Sequence, residues 1–207
     1  MTALLVATRS AGKLRELVPM LRAAGFDPRT LDDAAIKYDR AEEEIEAFDT
    51  FEANARAKAR YYYERGGGVL VLADDSGLSV DALGGAPGVR SKRWSGSHEE
   101  GHALDDANNA HLLRELAGQI DRRAKYVCVA VLADARGVTV ARGETAGTIA
   151  ELPSGTGGFG YDPYFVSDDL RVAFADASRE EKERVSHRGR AVRAVLETYL
   201  AKDSQSR

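Results

Sequence analysis

The chain has 207 residues, of which 43% are hydrophobic and 30% charged, enough to bury a sizeable core, and its length fits one domain or one domain with two lobes. A net charge of −4 offers no basic face to a nucleic-acid backbone, so nucleic acid is not an expected partner. The one cysteine, Cys128, excludes an internal disulfide and lies in the apolar run 126–132, where a buried, inert thiol in a reducing cytoplasm is expected.

Leu4 to Ala7 is too short for a signal segment or a membrane span, and it reads instead as a buried strand. A helix follows, with Leu14, Leu17, Val18 and Leu21 at i, i+3, i+4, i+7. Asp49 and Glu52 form a candidate capping box for a second helix to about Arg65, which Gly66-Gly67-Gly68 should stop. Val69 to Ala73 reads as a strand, with Ser76-Gly77 turning the chain just after it. A third helix is predicted over Asp105 to Ala117, burying Leu112, Leu113 and Leu116. Lys125–Ala133 and Val138–Ala150 then flank a turn-like segment, which predicts an antiparallel hairpin beside the earlier parallel pairing. Ser178 and Glu181 make a second candidate capping box, and a last helix from about Gly189 should bury Val192, Val195, Leu196, Tyr199 and Leu200. No repeat or linker divides the chain, and alternating strands and helices argue for an α/β fold with a mixed sheet.

Several segments carry chemistry. Gly155 to Pro163 holds four glycines in nine residues and keeps Phe159 and Asp162, which suits a pocket wall for a flat, hydrogen-bonding group. Thr8-Arg9-Ser10-Ala11-Gly12-Lys13 lies between a strand and a helix, where free amides and a lysine can cradle an anion, although the Walker pattern is absent and Ser10 can equally be a plain N-cap. Asp74 and Asp75 end a strand at the sheet edge where open α/β folds place ligands; alternation points them to opposite faces, so only one should face a site. Glu42, Glu43, Glu44 and Glu46 form a run of which one member is a candidate ligand and the rest a solvated face. Magnesium suits such a site, because one or two carboxylates plus a polyphosphate are enough to hold it. His98, His102 and His111 lack a zinc pattern, Tyr61-Tyr62-Tyr63 are explained by packing, and Ser186-His187-Arg188-Gly189 places donors at a helix start, where they suit a carbonyl-rich ligand.

Taken together, Thr8 to Lys13, Ala73 to Leu78, Leu83 to Gly88, Gly155 to Pro163 and Ser186 to Gly189 resemble, in order and nearly end to end, the inosine triphosphate pyrophosphatase family. The resemblance implies an α/β fold in which a mixed twisted sheet with flanking helices forms two lobes around a nucleotide cleft. It also implies a homodimer and Mg2+-dependent hydrolysis of ITP, dITP and XTP to the monophosphate and pyrophosphate. Carried over, Asp75 matches the catalytic carboxylate, a general base near the metal, and Glu46 the metal-binding glutamate, with Glu44 selected instead by a small alignment shift. Thr8, Ser10, Lys13, Lys58 and Ser76 match triphosphate contacts, and Phe159, Asp162, Lys182, His187 and Arg188 match nucleoside or base contacts. Arg9, Ala11 and Gly12, and likewise Gly160 and Tyr161, complete the expected substrate loops. Ser10 stands where the family usually has asparagine, and Phe48 where a glycine is common. A relative acting on modified pyrimidines and a non-hydrolysing nucleotide sensor are the competing expectations.

Overall fold

The computed structural model describes residues 1–205. Its elements are β1 (Thr2–Val6), α1 (Ala11–Ala23), β2 (Phe26–Arg29), α2 (Phe51–Arg65), β3 (Val71–Val80), α3 (Gly101–Glu115), β4 (Arg123–Asp134), β5 (Gly137–Ile149), β6 (Phe165–Ser167), α4 (Arg179–Val185) and α5 (His187–Gln205). The six strands form one sheet in the order β2-β1-β3-β4-β5-β6. β1 pairs in parallel with β2 and β3, and β5 pairs antiparallel with β6, so the α/β fold has the mixed sheet expected. The chain divides into two compact units, one of Met1–Asp75, Cys128–Gly143 and Arg188–Arg207, the other of Ser76–Val127 and Glu144–His187.

In the first unit, strand alternation builds two cores. Leu4, Val6, Leu72, Cys128, Ala130 and Leu132 point to one face, where Leu17 and Leu21 of α1 and Val192, Val195 and Leu196 of α5 cover them. Leu5, Ala7, Val71, Ala73, Val129 and Val131 point to the other, covered by Ala55, Ala59 and Tyr62 of α2. Strands buried on both faces need continuous apolar runs, which is why Leu4 to Ala7 and Val127 to Ala133 carry no alternation in the sequence. Truncating a fully buried side chain here, such as Leu72 to alanine, costs about 2–5 kcal/mol.

The second unit has a single core of Leu78, Val80, Leu112, Leu116, Tyr126, Ile149, Tyr161, Phe165 and Phe174. Tyr126 organises it, with its ring 4.6 Å from that of Phe165 and stacked 5.9 Å from that of Phe174.

Some expected boundaries change, each for a local reason. Ser76-Gly77 does not turn the chain: β3 runs on to Val80. Gly77 is needed for close approach, since a Cβ there would lie 2.3 Å from the Gly88 carbonyl and 2.4 Å from Ser91 Oγ, which accepts from the Leu78 amide at 2.8 Å. The second helix is capped by Thr50, whose hydroxyl accepts from the Ala53 amide, rather than by an Asp49–Glu52 box; Glu52 instead pairs with Arg56. The third helix starts four residues early, at Gly101, and buries Leu104, Asn108, Asn109 and Leu112, leaving Leu113 half-buried. The last helix starts at His187, and its Leu200 is exposed. The Ser178–Glu181 capping box forms with both of its hydrogen bonds. The short strands β2 and β6 had no periodicity to reveal them, being four and three residues long.

Candidate active site

The first unit gathers its charges where β3 meets the start of α1. Ser10 caps α1 by accepting from the Lys13 amide at 3.3 Å, and Thr8 Oγ1 in turn accepts from the Ser10 amide at 3.2 Å. This brings Lys13 Nζ to 3.1 Å from Asp74 Oδ2 and 3.3 Å from the Asp74 carbonyl. Lys58, one turn after Asn54 on α2, donates to the same carbonyl at 2.8 Å and also pairs with Glu46. Asn54 Nδ2 donates to Asp75 Oδ2 at 3.0 Å, and the Asn54 side chain bridges both the amide and the carbonyl of Phe48. Phe48 itself points out, half exposed, so its replacement of a glycine leaves this bridge intact.

The two adjacent aspartates are separated by strand parity. Asp74 continues the face of Leu70 and Leu72 and meets α1 and α5; Asp75 continues the face of Val71 and Ala73 and meets α2. Their carboxyls titrate in opposite directions. Burial pushes Asp74 up, but the charges of Lys13, Arg188 and Lys58 outweigh it and hold the group well below the usual carboxylate range. Burial also pushes Asp75 up, and there Lys13, Lys58 and the Asn54 hydrogen bond only partly offset it, with Glu46 adding repulsion, so Asp75 stays raised. Neighbouring carboxyls driven apart in this way mark one as a fixed charge and the other as a group able to take a proton. Burial raises Glu46 too, but Lys58 and Lys13 outweigh it and keep Glu46 below its ordinary value. Burial would lower Lys58, but Glu46, Asp74 and Asp75 hold its ammonium charged.

Arg188 also belongs to this cluster. Its guanidinium is 2% exposed and donates to Asp74 Oδ2 at 3.2 Å and to Glu16 of α1. Arg9 is committed elsewhere: Nε and Nη2 form a fork on Glu42 at 2.7 and 2.8 Å, and Nη2 also reaches the Ile36 carbonyl. Ala11 is exposed and Gly12 buried in the first turn of α1.

The donor set suits a hard divalent cation. The cluster sets Lys13, Lys58 and Arg188 against Glu16, Glu46, Asp74 and Asp75, so its carboxylates already match or exceed its cations before any phosphate arrives. A polyphosphate there needs further positive charge, and Glu46 and Asp75 offer oxygen donors of the kind magnesium takes. Among the described residues no group of three or more His, Cys, Asp or Glu converges as a metal cage.

The second unit contains the glycine-rich loop. Phe159, Gly160, Tyr161 and Asp162 are fixed by polar contacts on every side. Asp162 Oδ2 accepts from the Phe159 amide at 2.8 Å and from Lys182 Nζ at 2.6 Å, while Tyr126 donates its hydroxyl to Oδ1 at 3.4 Å. Lys182 Nζ lies 5.2 Å from the centre of the Phe159 ring, a cation–π contact. The loop's backbone demands its glycines. Gly158 has φ +74°, and a Cβ there would meet Asp162 Oδ2 at 2.1 Å; Gly155 has φ +75° and abuts the Ala175 carbonyl. Thr145 of β5 accepts no such strain but donates its hydroxyl to the Val185 carbonyl at 2.6 Å, fixing the chain just ahead of Ser186. The His187 ring then stacks on Tyr126 at 4.6 Å and 10°. Ser76, on β3, is half-buried in this unit.

The structure thus groups Thr8, Ser10, Lys13, Lys58, Glu46, Asp75 and Arg188 in the first unit, and Phe159, Gly160, Tyr161, Asp162, Lys182 and His187 in the second. Sequence reasoning missed Asn54, Glu16 and Cys128, whose Sγ lies 3.7 Å from Asp74 Oδ2. Two of these had a signal: Asn54 precedes Lys58 by four residues and Glu16 follows Lys13 by three, spacings that share a helix face. The expected inert thiol is present, buried and raised by that burial and by Asp74.

Comparisons with known proteins identify the family and the fold. A sequence profile of the Ham1 family matches residues 4–198. A protein of Mycolicibacterium paratuberculosis named dITP/XTP pyrophosphatase is 48% identical over 203 residues, covering 95% of each chain. One of the same name from an Exiguobacterium species is 46% identical over 196 residues, covering 93% of this chain and 94% of its own. The solved structure of the Staphylococcus aureus Ham1 protein superposes with a TM-score of 0.81 at 31% identity, covering 97% of this chain and all of that one. A Mycobacterium abscessus structure described as a nucleoside-triphosphatase / dITP/XTP pyrophosphatase gives 0.70 at 40% identity, covering 93% and 97%.

Proposed function

The chain belongs to the Ham1 family, and from that premise we propose that it hydrolyses ITP, dITP and XTP to the nucleoside monophosphate and pyrophosphate, with magnesium, as a cytoplasmic homodimer. The observation that carries the reading is the placing of Asp74 and Asp75 on opposite faces of one strand, with Lys13 and Arg188 on the Asp74 carboxylate, Asn54 on that of Asp75, and Lys13 and Lys58 both on the Asp74 carbonyl. It supplies, on one strand, a fixed anion that orients cations and a carboxylate able to accept a proton.

Asp75 takes a proton from a water whose oxygen attacks the α-phosphorus; the bond from that phosphorus to the α–β bridging oxygen breaks, and pyrophosphate leaves. Asn54 holds Asp75 Oδ2, so the carboxylate keeps one orientation as it takes the proton. Lys13 and Lys58 offset negative charge on the phosphates as it shifts to the leaving group. Glu46 and Asp75 are the residues that would hold magnesium, which when bound supplies the positive charge the cluster lacks. Lys58 now holds Glu46, and that contact keeps the glutamate ionised and placed.

In the second unit, Phe159 offers a ring face to the purine and His187 a donor to its 6-oxo group. Arg188 is assigned a different task from the base contact implied by resemblance, because Asp74 and Glu16 hold its guanidinium. An adenine amino group would set donor against donor at His187, so ATP should be rejected strongly. Guanine shares the 6-oxo group and is disfavoured only through an unpartnered 2-amino group, worth about 1–3 kcal/mol.

Separating the products of ITP, XTP, dITP, GTP and ATP with and without magnesium tests the reading. Monophosphate and pyrophosphate from the first three, dependent on the metal, is the expected result. Diphosphate and orthophosphate, or no turnover of any triphosphate, contradicts it. Sedimentation at micromolar concentration should give twice the chain mass.

A further inference from the structure

Helix α3 touches the glycine-rich loop at one residue, and it does so twice. Asp105 Oδ2 accepts from the Gly160 amide at 2.8 Å, and Asn109 Nδ2 donates to the Gly160 carbonyl at 2.9 Å. Asp105 and Asn109 are four residues apart on a regular helix, so they share a face and approach the loop together. The Gly160 amide belongs to the peptide plane it shares with Phe159, and its carbonyl to the plane it shares with Tyr161. Holding both fixes the two planes that flank a residue with φ +64°, the most permissive kind of backbone in the loop.

The neighbours of Gly160 are then set in turn. On one side the Phe159 amide donates to Asp162, and on the other the Tyr161 hydroxyl donates to the Ser91 carbonyl at 2.8 Å. The Phe159 carbonyl also accepts from the Asp162 amide at 3.3 Å, a longer contact than either bond from α3, so losing those two bonds loosens the Phe159–Gly160 peptide and with it the angle of the Phe159 ring.

Asn109 is 5% exposed; its Nδ2 satisfies the Gly160 carbonyl, while its own Oδ1 is buried with no hydrogen-bond partner. A half-satisfied amide is a costly way to hold a helix in place, since the gain from one bond is offset by the desolvated acceptor beside it. What the residue secures is the position of the Gly160 carbonyl, which points to a constraint on the loop.

We infer that Asp105 and Asn109 are positioning residues for purine recognition, clamping Gly160 so that Phe159 presents its ring at a fixed angle. The inference rests on the proposed role of Phe159 in base binding and goes beyond it, since both residues lie on α3, outside the loop.

Steady-state kinetics with ITP and GTP, paired with thermal melts, tests the clamp in Asn109→Ala, Asp105→Ala, Asp105→Asn and the double alanine variant. Each alanine variant should raise KM for ITP about tenfold, the loss of one charge-assisted or buried hydrogen bond, with kcat within about twofold of wild type. Preference for ITP over GTP should narrow by a similar factor. The double variant should cost less than the product of the singles, because both contacts hold one residue. Asp105→Asn keeps an acceptor for the Gly160 amide and should restore most of the wild-type KM. In Asn109→Ala the lost bond to the Gly160 carbonyl and the relieved Oδ1 penalty oppose each other, so KM should rise with little change in Tm, whereas a purely structural residue would lower Tm and leave KM and the ITP/GTP ratio unmoved. An unchanged KM and ITP/GTP ratio in folded alanine variants overturns the clamp while leaving the proposed function standing. A wild type that hydrolyses no keto-purine triphosphate overturns both. Should the double variant fail to fold, Asn109→Ala against Asp105→Asn decides by the same KM comparison.

Discussion

The two units solve different problems with different bonds. The first holds mobile, charged side chains in place by pairing each with an opposite charge: Lys13 and Arg188 on Asp74, Lys58 on Glu46, Arg9 on Glu42. The second holds a backbone in place by hydrogen bonds to its amides and carbonyls from Asp162, Asp105, Asn109 and Tyr161. Phosphate chemistry needs charge that is present yet balanced, and base recognition needs a surface of fixed shape. The difference teaches that a perturbation of charge should change rate and pH dependence, whereas a perturbation of shape should change affinity and selectivity.

The largest expected effect comes from the first unit. Asp75→Asn should lower turnover of ITP about 10²- to 10⁴-fold, the range for a lost general base, while nucleotide binding persists. The same change should stabilise the fold. A raised carboxyl pKa means that the native state binds the proton more tightly than the unfolded chain, so the penalty appears as pH rises through the folded value and is complete at neutral pH. Removing it should raise Tm, read by thermal melts at neutral pH. A normal rate, or a lower Tm, would contradict the role given to Asp75.

Shape is broken most directly at Gly77 and Gly158. Gly77→Ala forces a Cβ onto the Gly88 carbonyl and should cost about 3 kcal/mol, read by urea denaturation. Gly158→Ala should mainly raise KM, since its clash falls on Asp162 within the loop.

The pH dependence sharpens the contrast between the aspartates. Asp74, depressed in the fold, contributes stability that is complete above its unfolded pKa and lost as pH falls towards the folded one, so acid should unfold the first unit below the ordinary carboxylate range. Asp75, raised, should set the acid limb of kcat/KM above that range. Asn54→Leu removes a hydrogen bond that lowers Asp75 and should move this limb further towards neutral, measured from the pH–rate profile. The smallest effect belongs to the exposed Glu52–Arg56 pair, where Arg56→Ala should change stability by about 0.5 kcal/mol or less and activity not at all.

Much of this was legible in the sequence, for reasons that follow the same division. Runs such as Leu4 to Ala7 announced strands because both faces are buried, and the Ser178–Glu181 box announced α4 because its hydrogen bonds are local. The opposite facing of Asp74 and Asp75 followed from parity alone. What escaped reading was non-local. Gly77 looked like a turn because nothing nearby in sequence reveals Gly88 and Ser91 pressing on it. Arg188 looked like a base contact because its partners, Glu16 and Asp74, lie more than a hundred residues away. The third helix was read only through its leucines, and the fold alone shows that its Asp105 and Asn109 reach Gly160.

Hydrolysis of ITP in water enriched in the heavy oxygen isotope tests the central claim most directly, because the label records which phosphorus the activated water attacks. Label in the inosine monophosphate, with none in the pyrophosphate, is the predicted outcome. Label in the pyrophosphate would place the attack on the β-phosphorus and contradict the chemistry assigned to Asp75.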